Sequence, residues 1–144
     1  MRFEMEPSQD LGLQHMLRNG VAVLRGEPFD PERRTRVVED LLEIITEADR
    51  GSEALREQSL TFALNERPAF ERFSLFLQYV GDSVEDIGNK LASAKEVLEG
   101  LEQGNEGSPE DRASVADLLN RLVSALERER ALAPLTAPRE FHYN

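Results

Sequence analysis

The amino-acid sequence predicts an all-α protein: a helical bundle of about five helices, with one long heptad helix and a C-terminal antiparallel αα-hairpin. Apolar residues recur at helical spacing, and helix start signals recur at Ser8, Asp30 and Ser108. One segment also carries apolar residues at alternating steps of three and four, which is typical of a coiled-coil seam. The residues of that seam are Phe70, Phe73, Leu77, Val80, Val84, Ile87, Leu91, Ala94, Leu98 and Leu101.

The first helix is predicted from Ser8, which can cap its free amides, to about Arg25. A short strand over residues 20–26 is the alternative, because Val and Leu residues lie between two glycines there. A strand needs a partner, and only residues 1–6 offer a weak one. We therefore favour the helix. Its inward-facing residues are Leu13, Met16, Leu17, Val21 and Leu24.

The second helix begins at Asp30 and Pro31, because aspartate accepts hydrogen bonds from free amides and the fixed φ of proline suits the first turn. We expect this helix to run to Arg50 and stop at Gly51. Its apolar residues cover nearly half of its circumference, which places it at the centre of the core. A shorter third helix is expected from Ser52 to about Asn65.

The heptad helix is predicted from about Pro68 to Gln103. Its seam would extend about 48 Å at roughly 1.5 Å per residue, which is longer than a compact domain of this size needs. Ser74, Gly81 and Gly88 recur every seven residues beside the seam. Glycine within a helix costs about 1 kcal/mol relative to alanine, so the repeat predicts a close approach by the last helix or a second chain. Neutral variation or a kink is the alternative.

A short loop over residues 104–108 leads to a helix that begins at Ser108 and Pro109 and folds back antiparallel. This helix is expected to pair with the second half of the heptad helix and to end at Pro134. Residues 1–133 then form a single helical domain. Residues 134–144 form an extended C-terminal tail, because two prolines fall in that segment.

The amino-acid composition excludes some kinds of site and disfavours some classes of partner. The chain has 144 residues, no cysteine and a formal net charge of −11. The absence of cysteine excludes disulfides and thiolate metal sites within this sequence, and the negative charge disfavours nucleic acid and anionic membranes as partners. No apolar run is long enough for a signal peptide or a membrane span, so we expect a cytoplasmic protein.

No catalytic residue, cofactor or metal site is predicted. The two histidines, His15 and His142, belong to no Glu-x-x-His or His-x-x-x-His pair, and phosphate-loop and nucleophile-elbow motifs are absent. Carboxylate pairs at three-residue spacing leave one alternative, a magnesium-dependent all-α nucleotide pyrophosphohydrolase. These pairs are Asp40 with Glu43, Asp82 with Glu85, and Glu96 with Glu99.

The segment from Asp82 to Asp111 holds nine acids and two lysines. It predicts either a solvated surface or a docking face for a basic protein. Our leading interpretation is a non-enzymatic helical adaptor, chaperone or scaffolding protein that acts through protein-protein contacts. An acidic inhibitor or immunity-type protein that mimics nucleic-acid charge is the first alternative, and the pyrophosphohydrolase is the second.

Two surfaces are predicted to make the contacts. A two-helix hairpin leaves part of its apolar stripes exposed, so we expect a homodimer that completes a four-helix bundle. In an extended tail, Phe141 and Tyr143 would project to one side and could anchor a partner, although the tail could also cover the protein's own apolar surface. The candidate contact residues are Ser74, Gly81, Val84, Gly88, Leu119, Leu122, Leu126, Phe141 and Tyr143.

Overall fold

The computed structural model describes residues 7–57, 67–80 and 83–141, with side chains described for 12–57, 67–80 and 83–128. This part of the chain contains five α-helices and no strand, so the predicted helical bundle is confirmed. The helices are α1 (Pro7–Leu24), α2 (Pro31–Glu57), α3 (Arg67–Val80), α4 (Val84–Glu102) and α5 (Pro109–Phe141).

The predicted start signals of two helices are confirmed. Asp30 Oδ2 accepts a hydrogen bond from the Arg33 amide at 3.3 Å, and α2 begins at the next residue. Ser108 Oγ accepts one from the Asp111 amide at 3.1 Å, immediately before α5. Both side chains satisfy amides that have no partner within the first helical turn. Residues 20–24 are helical, so the strand alternative is wrong.

The predicted end of the second helix is wrong, because α2 continues through Gly51 to Glu57. A Cβ atom at Gly51 would collide with the backbone carbonyl of Ala69 on α3. This close contact between helices outweighs the intrinsic cost of glycine in a helix, which is about 1 kcal/mol. The first residues of the predicted third helix therefore belong to α2, and residues 58–66 lie outside the described residues.

The predicted long heptad helix is two helices. α3 ends at Val80, α4 begins at Val84, and Ser83 is extended with φ −67° and ψ 162°. Ser83 Oγ accepts a hydrogen bond from the Asp86 amide at 3.2 Å, so a new helix is capped within the seam. Acidic residues in the first turn of α4 add a favourable interaction with the helix dipole.

The contacts of α2 show why one straight helix cannot form. Gly51 lies against Ala69 of α3, and the adjacent Ser52 lies against Gly88 of α4. A straight helix would hold Ala69 and Gly88 about 28 Å apart at roughly 1.5 Å per residue. Because both contact neighbouring residues of α2, the chain must turn between them. Of the predicted seam, all buried members still face the core, whereas Val84 is 40% exposed.

α4 runs antiparallel to α2, with Gly88 beside Ser52 near one end and Glu106 bonded to Arg34 near the other. The main neighbour of α5 is α1, and its contacts with α3 and α4 are smaller. The expected pairing of the last helix with the second half of the heptad helix is thus only a minor part of its packing. The largest fully buried side chains include Leu17, Leu41, Ile45, Phe73, Phe76, Ile87, Leu91, Leu98, Leu119 and Leu122.

The predicted extended tail is wrong for residues 134–141, because α5 continues through Pro134 and Pro138 to Phe141. A proline removes one backbone hydrogen bond, but its φ near −65° is the helical value. Leucine and alanine residues around the two prolines favour the helix. Residues 142–144 lie outside the described residues.

Candidate functional site

The exposed charged residues of α4, of the loop after it and of the first turn of α5 are all acids. Every exposed charged residue from Ser83 to Asp111 is an acid, whereas Lys90 and Lys95 are half-buried. Asp82, the remaining acid of the predicted segment, lies outside the described residues. The acidic surface, as we name it, consists of Glu85, Asp86, Glu96, Glu99, Glu102, Glu106, Glu110 and Asp111.

The heptad pattern of α4 produces this segregation. Its buried hydrophobic residues, from Ile87 to Leu101, repeat at steps of three and four and face the core. Glu96 falls on the opposite side of the helix, and Glu99 and Glu102 follow at three-residue steps, each turned about 60° further around the helix. The acids of α4 therefore extend from its outer side to the edge of its buried side.

Two arginines fix the end of the acidic surface. Arg34 on α2 donates to both carboxylate oxygens of Glu106 at 2.9 Å. Arg112 on α5 donates to the Glu106 carbonyl at 2.5 Å and to the Gly107 carbonyl at 3.2 Å. Gly107 has φ +66°, a conformation that favours glycine. The loop between α4 and α5 is thus tied to α2 and to the first turn of α5.

Gly88 lies where two helices approach closely. A Cβ atom there would be 2.5 Å from Ser52 Oγ. The approaching helix is α2, rather than the last helix or a second chain that the glycine repeat predicted. Ser74 is half-buried, and Gly81 lies outside the described residues, so the repeat as a whole is not tested.

Asp49 and Ser52 form a buried polar pair in this contact that sequence reasoning missed. Asp49 is 5% exposed and Ser52 is fully buried. Asp49 Oδ1 and Ser52 Oγ have no hydrogen-bond partner among the described residues. Burial, with a contribution from Glu53, raises the pKa of Asp49. The signal was available, because Asp49 follows buried Ile45 by four residues on the same helix face.

The apolar stripes that predicted a homodimer are covered within the chain. Leu119, Leu122 and Leu126 are buried, as are Ile87 and Leu91. Among the described residues, the exposed large hydrophobic side chains are Val84 and Leu55, at 40% and 39%. The argument for self-association from exposed stripes is therefore lost, while the oligomeric state stays a prediction.

The predicted aromatic anchor is not tested by the described structure. Phe141 is the last residue of α5, and its side chain is outside the described part of the chain, as is Tyr143. The docking role of these two residues stays a prediction.

The carboxylate pairs remain on the surface. Asp40, Glu43, Glu96 and Glu99 are all exposed. Among the described side chains, no group of three or more histidine or acidic residues is placed to hold a metal ion. An open groove of about 360 Å³ lies elsewhere, between the end of α3 and α5. It is lined by Tyr79, Val80, Asp117, Asn120, Arg121, Ser124 and Arg128.

Over the described residues, no helix combines the length and apolar character needed to cross a membrane. No protein-family model, curated protein or solved structure matches this chain.

Proposed function

We propose that this chain is a non-enzymatic helical protein, acting as an adaptor, chaperone or scaffold, and that its acidic surface binds a basic protein partner. One observation carries the proposal: every exposed charged residue from Ser83 to Asp111 is an acid. Such one-sided charge accelerates encounter with a basic surface and disfavours acidic proteins. We also propose that the protein acts in the cytoplasm.

The arrangement of the acids supports a broad electrostatic contact. Glu106 is already paired with Arg34, whereas Glu96, Glu99 and Glu102 lie in the C-terminal part of α4. Charges separated by less than the Debye length, about 8 Å at physiological ionic strength, act together on an approaching partner. The three central glutamates are therefore the residues whose removal should weaken binding most.

A charge mimic of nucleic acid is the second candidate. Glu96, Glu99 and Glu102 are separated by about 4.5 Å along the helix axis, which is comparable with the rise of about 3.4 Å per phosphate of one DNA strand. A protein that binds nucleic acid through lysines and arginines would then bind the acidic surface instead. This chain and DNA would then compete for the same site on that protein.

The test compares two variants that remove the same number of exposed acids. One is Glu96→Gln with Glu99→Gln and Glu102→Gln on α4. The matched control is Glu39→Gln with Asp40→Asn and Glu43→Gln on α2. Partners captured by the wild type from the source organism would be purified, and their affinities for all three proteins measured over a range of salt concentrations.

We expect the α4 variant to lose affinity and salt dependence, and the α2 control to bind as the wild type does. Equal affinities for the two variants would overturn the proposal. Displacement of the partner by double-stranded DNA would favour the charge mimic. Hydrolysis of a nucleoside triphosphate with Mg²⁺, abolished in either variant, would instead support the pyrophosphohydrolase alternative, because each variant removes one candidate carboxylate pair.

A further inference from the structure

The turn of α2 from Asp49 to Ser52 makes the closest contacts with two other helices. Gly51 lies against the carbonyl of Ala69 on α3, and Ser52 lies against Gly88 on α4. The glycine at each contact has no side chain, so the two helices can approach each other closely. Polar side chains therefore occupy one of the most tightly packed parts of the protein.

The polar atoms in this turn are poorly satisfied. Asp49 Oδ1 and Ser52 Oγ are buried and have no hydrogen-bond partner among the described residues. Burying an ionised carboxylate is costly unless it is paired and fully hydrogen-bonded. A protonated carboxyl is neutral, and it gains an O–H donor one helical turn from the Ser52 hydroxyl. The packed arrangement thus favours the protonated form.

Charged groups around Asp49 act in both directions. Glu53 on α2 adds to the effect of burial and opposes ionisation. Lys95 on α4 and Arg56 on α2 favour ionisation, but the net effect is a raised pKa. Arg72, on α3, pairs with Glu47 at 3.8 Å. Lys95 is therefore the cation that the opposing helix contributes to the balance.

We propose that the Asp49–Ser52 turn is a proton-operated contact, which holds α4 against α2 when the Asp49 carboxyl is protonated and loosens when the carboxyl ionises. An ionised Asp49 gains water when the first half of α4 moves away from Ser52. The apolar contacts of α4 with the core limit this opening to the region around Gly88.

The direction of the pH dependence follows from linkage. The pKa of Asp49 is higher in the folded protein than its ordinary value of 3.8, so the folded state binds the proton more tightly. The contribution of Asp49 to stability is therefore greatest at pH values below 3.8 and decreases as the pH rises through the folded pKa. Opening at Gly88 should increase over the same range.

Hydrogen exchange of α4 amides tests this proposal without a partner, so its outcome is independent of the proposed function. Protection factors for residues 87–94 would be measured in steps from about pH 4, near the ordinary pKa of 3.8, to about pH 8 in the wild type, Asp49→Asn and Asp40→Asn. Asp40 is an exposed aspartate on the same helix, so Asp40→Asn is the matched control.

We expect lower protection at the higher pH in the wild type and in Asp40→Asn, and loss of that difference in Asp49→Asn. Lys95→Gln removes a cation that favours ionisation, so it should move the loss of protection to higher pH. This second variant decides the question if Asp49→Asn does not fold. Equal pH dependence in the wild type and Asp49→Asn, or no displacement in Lys95→Gln, would show the proposal to be wrong.

Discussion

Two pairs of helices in this protein are held together by different kinds of contact. α1 meets α5 mainly through apolar side chains, with Leu119 close to Gly20 and the half-exposed Arg18–Glu127 ion pair beside them. α2 meets α4 at Ser52 and Gly88, beside the buried carboxyl of Asp49. Apolar packing is insensitive to pH and tolerates little loss of side-chain volume. The protonation state of a buried carboxylic acid, in contrast, depends on pH. α1 and α5 therefore supply stability that is independent of Asp49, whereas the proposed adjustable contact lies between α2 and α4.

The largest effect is expected from removing an apolar side chain at the contact between α1 and α5. Leu119→Ala removes a side chain that is fully buried beside Gly20. A loss of about 2–5 kcal/mol in the free energy of unfolding is typical of such a cavity. Urea denaturation would measure it. Leu55→Ala, at an exposed leucine, is the control and should cost far less; similar losses in the two variants would contradict the packing described for α1 and α5.

A smaller effect tests the close contact between α2 and α4. In Gly88→Ala the new methyl group would lie 2.5 Å from Ser52 Oγ. We expect a net loss of about 1 kcal/mol, because overpacking typically costs 1–3 kcal/mol and exceeds the gain in helix propensity.

Two further variants sharpen this result. In a Ser52→Ala background, Gly88→Ala should become stabilising, because the nearest atom is then Cβ at 3.7 Å. Gly12→Ala, where no atom lies within 4 Å, should be stabilising by about 0.5–1 kcal/mol. If Gly88→Ala stabilises the wild type to the same extent, α2 and α4 are not in close contact there.

The smallest effect is expected from the ion pair at the other end of α2 and α4. Arg34→Ala removes the partner of Glu106, and both side chains are partly exposed. Such pairs contribute about 0–1 kcal/mol, and salt screens them. Thermal denaturation at low and high salt should show a small difference from the wild type that decreases with salt. A large loss that is independent of salt would mean that Arg34 stabilises the loop by other contacts.

The helix starts at Asp30 and Ser108 were predictable from the local sequence, whereas the end of α2 was not. Asp30 and Ser108 act on amides within three residues, so the sequence alone contains the signal. Gly51 marked a helix end in the sequence, but the carbonyl of Ala69, far along the chain, accounts for its place inside α2. Local propensity of about 1 kcal/mol is easily overridden by such tertiary contacts.

The seam and the candidate site were predicted in part. The heptad pattern correctly identified the buried side of α4, since this follows from helical periodicity, and the composition of residues 82–111 identified the acidic segment. The same pattern continued in phase from Val80 to Val84 and concealed the turn at Ser83. Asp49 was missed because aspartate is rarely buried, although its four-residue spacing from Ile45 placed it on the buried side of α2.

The neighbouring contacts of Gly51 and Ser52 also fix the register of α2. Each inserted or deleted residue between Pro31 and Gly51 would rotate the following turn by about 100° relative to the preceding one. An insertion would bring Arg50 to the position against Ala69, and a deletion would bring Ser52 there and Glu53 to the position against Gly88. Length changes in this part of α2 should therefore disrupt two helix contacts together, whereas the exposed loop over residues 103–107 can be lengthened without rotating either contact.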